Sequence, residues 1–223
     1  MAKNASEYVV EEEDFDLDAR PDTKADSPVV RSWEAESNSA PSYATDFKFT
    51  EQTQLVRFVD ASLPPYAYKE HWLAGKTSGK RSYTCLNPKD RADLVCPLCL
   101  MDEDIPGQYA KKKWAMTIVN FSADPFQKQL LTGAKRLIDT LHAMDTNKST
   151  GPLAGKYWAL SKSGEKQSTV YHVTPVKERD LQEDWGIDPE EAKGFFSSVE
   201  AYPPSIIKTY SVAELREIAD TLS

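Results

Sequence analysis

The residues of this chain best placed to do chemistry are three cysteines and a histidine, spaced His71-x13-Cys85-x10-Cys96-x2-Cys99. A C-x2-C pair lets one tight turn aim two thiolates at a single ion. Cys85 and His71 supply the remaining corners of a tetrahedron. Three soft sulfurs and one imidazole favour zinc over magnesium and calcium, which take oxygen ligands. Four protein ligands leave no open position for a reactive water, so the expected cofactor is one structural zinc ion. The chain has three cysteines in all, so none is left for another purpose.

Catalytic constellations are missing elsewhere. Cys85 lies near Asp90 and Asp93, but a metal-bound thiolate is no nucleophile. His142 falls in a helical segment and His172 in a strand, and both read as structural. No phosphate-binding G-x-x-x-x-G-K-[ST] loop, G-x-S-x-G elbow or paired acidic metal motif occurs. A non-enzymatic protein is expected.

The second constellation interleaves cations with aromatic rings. Lys80, Arg81 and Tyr83 lie on one arm of the metal hairpin, and Tyr109, Lys111, Lys112, Lys113 and Trp114 lead into a later strand. Tyr157, Trp158 and Tyr171 follow. A groove for unpaired nucleic acid needs both parts: cations for phosphates and flat faces on which bases stack. Each aromatic taken singly can equally fill a core, and a short lysine run can be a solvated loop.

Several elements must position these groups. Residues 55–59, 66–73 and 81–86 read as strands on their β-branched and aromatic content, with Gly75-Lys76-Thr77-Ser78-Gly79 turning the chain between the last two. His71 and Cys85 then sit on two arms of one hairpin. An acidic turn, Asp102-Glu103-Asp104, precedes a strand over 113–121. Leu130, Leu131, Ala134, Leu137, Ile138, Leu141 and Met144 repeat at three and four, which predicts a helix over 125–145, with Asp124 as N-cap and Pro125 in its first turn. Strands over 155–160 and 169–176 follow, joined by a turn at 161–165. Strands, a helix and two closing strands make the order of a five-stranded OB barrel, with the metal hairpin embedded in its first half. The fold class expected is mainly β, or α+β.

Net charge is −8, and the average hides its distribution. Residues 1–46 carry 12 acids and 4 bases, residues 47–179 carry 13 and 20, and residues 180–223 carry 10 and 3. A basic core, 47–179, is flanked by an acidic N-terminal segment that reads as disordered and an acidic C-terminal region. That region holds two helices, one opened by Asp188-Pro189 and one by the capping box Ser211-Val212-Ala213-Glu214. The second carries Val212, Leu215, Ile218, Ala219 and Leu222 on one face. It either docks on a partner or packs on the core. No stretch approaches eighteen apolar residues and the first residues lack a signal-peptide core, so a reducing cytoplasm is expected.

The His…Cys…Cys-Pro-x-Cys run, followed by a basic loop into Trp114-Ala115-Met116-Thr117-Ile118, resembles the single-stranded DNA-binding proteins of T4-like phages. There the ligands follow H-x12-C-x9-C-x2-C, so two spacings here are one residue longer. Gly155-Lys156-Tyr157-Trp158-Ala159-Leu160 is similar to a strand near the end of that family's core. The likeness covers roughly residues 47–176.

It implies that His71, Cys85, Cys96 and Cys99 hold zinc, that Trp114 lies by a DNA groove, and that the protein coats single-stranded DNA in replication, recombination and repair. It further implies an acidic C-terminal region that contacts replication proteins, and a host-cell cytoplasm if the chain is phage-encoded. Self-association along DNA is left open, because the family's basic N-terminal arm is replaced here by an acidic segment. Two rivals remain: a zinc-ribbon adaptor within a replication or recombination complex, and an accessory subunit of a nuclease or primase.

Overall fold

The structure is a computed structural model describing residues 44–59, 65–73, 82–86, 95–101, 109–165 and 168–222. The segment expected to be disordered lies outside these residues, except for its last three. So do the hairpin turn at 75–79 and the acidic turn at 102–104. Seven strands are described: β1 (Gln54–Phe58), β2 (Tyr66–Trp72), β3 (Ser82–Thr84), β4 (Lys111–Asn120), β5 (Gln127–Gly133), β6 (Tyr157–Ser163) and β7 (Val170–Val176). Four helices accompany them: α1 (Lys135–Thr146), α2 (Leu181–Trp185), α3 (Pro189–Ser197) and α4 (Val212–Asp220). Among the described residues no helix is long and apolar enough to cross a membrane.

The strands form one antiparallel sheet in the order β3-β2-β4-β1-β6-β7, with β5 paired to β4. β4 is its spine. β2 pairs with Lys111–Ala115 and β1 with Ile118–Asn120 along one edge, while β5 runs along the other from Trp114 to Asn120. Mainly β with helices is therefore the architecture, as the residue pattern predicts. The sheet is open: β5 and β7, which would have to meet to close a barrel, are not paired.

One expectation is corrected. The helix predicted over 125–145 begins only at Lys135, and its first third is strand β5. Leu130 and Leu131 are both buried because they point to opposite, equally covered faces of the sheet, an arrangement whose sequence pattern imitates a helix. Asp124 and Pro125 sit in the β4–β5 turn and cap nothing. At Gly133 a Cβ would meet Leu137 Cδ2 at 2.6 Å, so glycine is what lets α1 fold back tightly against the strand. The β6–β7 turn also starts later than expected, since β6 runs on to Ser163.

Both sheet faces are covered. On one, Phe58, Met116, Ile118, Trp158 and Leu160 pack beneath Leu137 and Leu141 of α1. On the other, the acidic C-terminal segment runs back across the molecule. Leu181, Ile187 and Ala192 cover Leu55, Val119 and Tyr157. Tyr202 and Ile207 then cover Tyr66, Ala115 and Leu130. Hydrogen bonds pin this strap: Tyr202 N donates to Thr117 Oγ1 (2.9 Å), the Tyr66 hydroxyl to the Tyr202 carbonyl (2.9 Å), and Thr84 Oγ1 to the Lys208 carbonyl (2.7 Å). Its acids stay outside. Glu183, Asp184, Glu190, Glu191, Glu214, Glu217 and Asp220 are all exposed. The amphipathic end helix packs on the molecule's own core.

Candidate metal centre and its basic flank

The candidate metal ligands come from two elements, the β2–β3 hairpin and a short knuckle. β2 and β3 are hairpin arms in the register His71↔Tyr83. One step past β3, Cys85 N donates to the Lys69 carbonyl (2.8 Å), extending the ladder and keeping Cys85 on the same face as His71. Cys96 and Cys99 bracket a 3-10 turn over Pro97–Leu100, closed by Cys99 N to the Cys96 carbonyl at 3.0 Å. All four ligand atoms lie within 4.8 Å of one another, so the cluster could hold a metal ion.

The spacing fits a tetrahedral ion closely. Metal–sulfur bonds of about 2.3 Å place tetrahedral ligand atoms roughly 3.7 Å apart. Here Cys85 Sγ and Cys99 Sγ are 3.6 Å apart, and His71 Nε2 is 3.5 Å from Cys96 Sγ and 3.6 Å from Cys99 Sγ. Without an ion such crowding drives Cys96 and Cys99 in opposite directions. Hydrogen bonding from Cys85, then Cys99, holds Cys96 far below the usual thiol range. The neighbouring Cys85 and Cys96 push Cys99 up. A dication would let all three ionise together. His71, Cys85 and Cys96 are buried and Cys99 is half-buried, so the site is shielded from water on most sides.

The centre is braced by its own small core: Leu73, Tyr83, Leu86, Leu98 and Met101 from the metal module, with Tyr210, Leu215 and Ala219 from the C-terminal segment. The final helix thus closes over the metal knuckle. Its capping box is complete, with Ser211 Oγ accepting from Glu214 N and the Glu214 carboxylate accepting from Ser211 N.

The residues expected to contact nucleic acid separate into two groups. Lys111 and Lys112 are exposed at the start of β4, and Lys113 is half-buried with Nζ 3.6 Å from Glu70. Trp114 is half-buried beneath Lys112, whose Nζ lies 4.7 Å from the ring centroid, and Tyr109 is 67% exposed. These five make a basic, aromatic flank at the start of β4 beside the metal module, with Lys112 and Trp114 on one face of the strand and Tyr109, Lys111 and Lys113 on the other.

The others lie elsewhere. Tyr83 is buried in the module core, 5.4 Å from the Tyr210 ring. Tyr157 is buried between Phe121 and the Arg57 guanidinium. Trp158 is fully buried, with Nε1 donating to the Leu153 carbonyl at 3.0 Å. Neither Tyr157 nor Trp158 offers a face for stacking. Tyr171 is half-buried against Phe49. Lys80 and Arg81 fall outside the described residues.

Two residues beside the flank escaped the sequence reading. Lys69 pairs in register with Lys112, and Trp72, the last residue of β2, is 52% exposed. The signal for Trp72 was present: on a strand whose His71 faces the cysteine cluster, the next residue faces away. Comparison with protein-family models, with curated proteins and with solved structures finds no match to this chain.

Proposed function

We propose that this chain is a non-catalytic protein that binds single-stranded DNA largely without regard to sequence, with a structural zinc ion at His71, Cys85, Cys96 and Cys99. The observation that carries the reading is the flank on β4. Exposed Lys111 and Lys112, and Trp114 beneath Lys112, stand beside a closed Cys3His cluster whose donors suit zinc. Cations tracking a phosphate chain next to aromatic faces are the chemistry of single-strand recognition.

Connectivity supports an OB-type barrel. With β2 and β3 set aside as the metal insertion, the five remaining strands pair as β1·β4, β4·β5, β1·β6 and β6·β7. Those are four of the five contacts such a barrel has, and OB barrels are commonly part-open. The phage-type resemblance adds roles in DNA replication, recombination and repair. The acidic outer side of residues 180–223 is the surface offered to replication proteins.

Titration with oligo-dT and with duplex DNA, read by tryptophan fluorescence, tests the proposal. Expected are a preference for the single strand, affinity that falls steeply with salt, and loss of binding after chelation. Equal affinity for both forms, or none for oligo-dT, would overturn it. A second reading, a zinc-braced protein adaptor, is favoured by one feature: Leu100 and Val95 on the knuckle are 71% and 53% exposed. In that case no DNA would bind.

A further inference from the structure

The exposed aromatics of the described residues, set against strand register, point to where unpaired bases would stack. Of the five large apolar side chains exposed there, two are aromatic, Trp72 and Tyr109. They are 37 positions apart in the chain, yet β2 and β4 bring them level. The paired register ends at Glu70↔Lys111. Continuing it two residues sets Trp72 opposite Tyr109 on the same face. Ala110 between Tyr109 and Lys111 packs on the metal-module core, which holds that stretch in line with the sheet. Directly opposed residues have Cβ atoms about 5 Å apart, close enough for two rings to form one surface.

The neighbouring row supplies charge. Register aligns Lys111, Glu70 and Thr84 across three strands, and Thr84 Oγ1 reaches the Lys208 carbonyl on the strap. Lys111 and Lys208 are exposed at the two ends of that row. Glu70 in its middle is matched by Lys113, 3.6 Å away. An aromatic row exposed to water, beside a row ending in the exposed Lys111 and in Lys208, whose Nζ lies 4.8 Å from the Tyr210 ring centroid, suits a ligand with flat bases on an anionic chain. Because His71 is a ligand in the same strand, the metal fixes the position of Trp72.

We propose that Trp72 and Tyr109 form a base-stacking clamp for single-stranded nucleic acid, flanked by Lys111 and Lys208. The proposal rests on the DNA-binding reading above and adds to it the aromatic residues that touch bases. It also assigns a cation of the acidic C-terminal segment to the binding surface.

The test uses the full, zinc-loaded chain with a fluorescein-labelled dT oligonucleotide and with an abasic oligonucleotide of the same length. Trp72→Leu and Tyr109→Ala are each expected to weaken dT binding about 5- to 150-fold, the loss of one base–aromatic stack. Trp72→Phe should retain most of the affinity. The abasic strand should bind all variants alike, because it has no bases to stack. The salt slope should stay at its wild-type value, since no cation is removed.

Zinc content and circular dichroism show that each variant is folded. If Trp72→Leu disturbs the ligand beside it, Tyr109→Ala on the other strand carries the test alone. Wild-type affinity for dT in the folded Tyr109→Ala variant overturns the clamp and leaves the DNA-binding reading standing. Failure of the wild-type chain to bind dT overturns both.

Discussion

Replacing Leu215 by alanine separates two views of the C-terminal segment, as a loose acidic tail or as part of the metal module. Leu215 is fully buried at the centre of α4, in one cluster with Leu73, Leu98, Met101 and the buried cysteines. Deleting a buried leucine side chain loses its transfer free energy and leaves a cavity, so the expected loss is about 3 kcal/mol. For a chain of this size that lowers the melting temperature by roughly 6–12 °C. Arg216→Ala, one position along on the exposed side, should stay within about 0.5 kcal/mol of wild type.

Urea unfolding followed by circular dichroism, on zinc-loaded protein, measures both. The same pair measured after chelation adds a second check. An ion held by His71, Cys85, Cys96 and Cys99 would fix the far wall of the Leu215 pocket, so without it the leucine would have less to pack on. The substitution should then cost at least about 1 kcal/mol less. A zinc-loaded Leu215→Ala protein within about 0.5 kcal/mol of wild type would refute the reasoning, because the helix would then contribute no more than an exposed tail.

Further outcomes follow from individual contacts and charges. Ser211→Ala removes the hydroxyl half of the capping box, leaves the Ser211 N–H to Glu214, and should cost about 1 kcal/mol by thermal unfolding. Glu214 is held below its usual carboxylate range, chiefly by the Ser211 backbone N–H. Its contribution to the cap is therefore present above that range and lost as pH falls through the lowered value, an acid sensitivity that Glu214→Gln should reduce.

Trp158→Phe should destabilise by about 2 kcal/mol through lost packing and an unpaired Leu153 carbonyl, while oligo-dT affinity of the folded protein stays at the wild-type value. Lys111→Gln and Lys112→Gln should each lower the slope of log affinity against log salt by about 0.7 in a fluorescence titration. Removing residues 1–43, which carry 11 acids and 4 bases, should tighten oligo-dT binding at low salt. Removing 205–223 should instead destabilise the protein, because Tyr210 and Leu215 leave the module core.

Much of the candidate site was legible from residue types and spacing alone. The C-x2-C turn and the alternation that sets His71 and Cys85 on one hairpin face depend on local geometry, which a short stretch of chain specifies by itself. Caps are local too, and Asp188 and Ser211 begin their helices where their side chains predict.

What the chain could not reveal by itself was decided by coverage. Leu130 and Leu131 form a strand because β4 supplies hydrogen bonds on one edge and both faces are covered, by α1 and by Tyr202. No window of sequence around them contains that information. Tyr157 and Trp158 are core while Trp72 and Tyr109 face water, although all four sit in similar aromatic and basic contexts. The difference is whether the strap or α1 happens to pass overhead. Residue chemistry thus determined that a metal could be held here and that the core is basic. Only tertiary structure decided which rings remain free to meet a ligand, because exposure belongs to the elements packed on a strand and not to the strand's own residues.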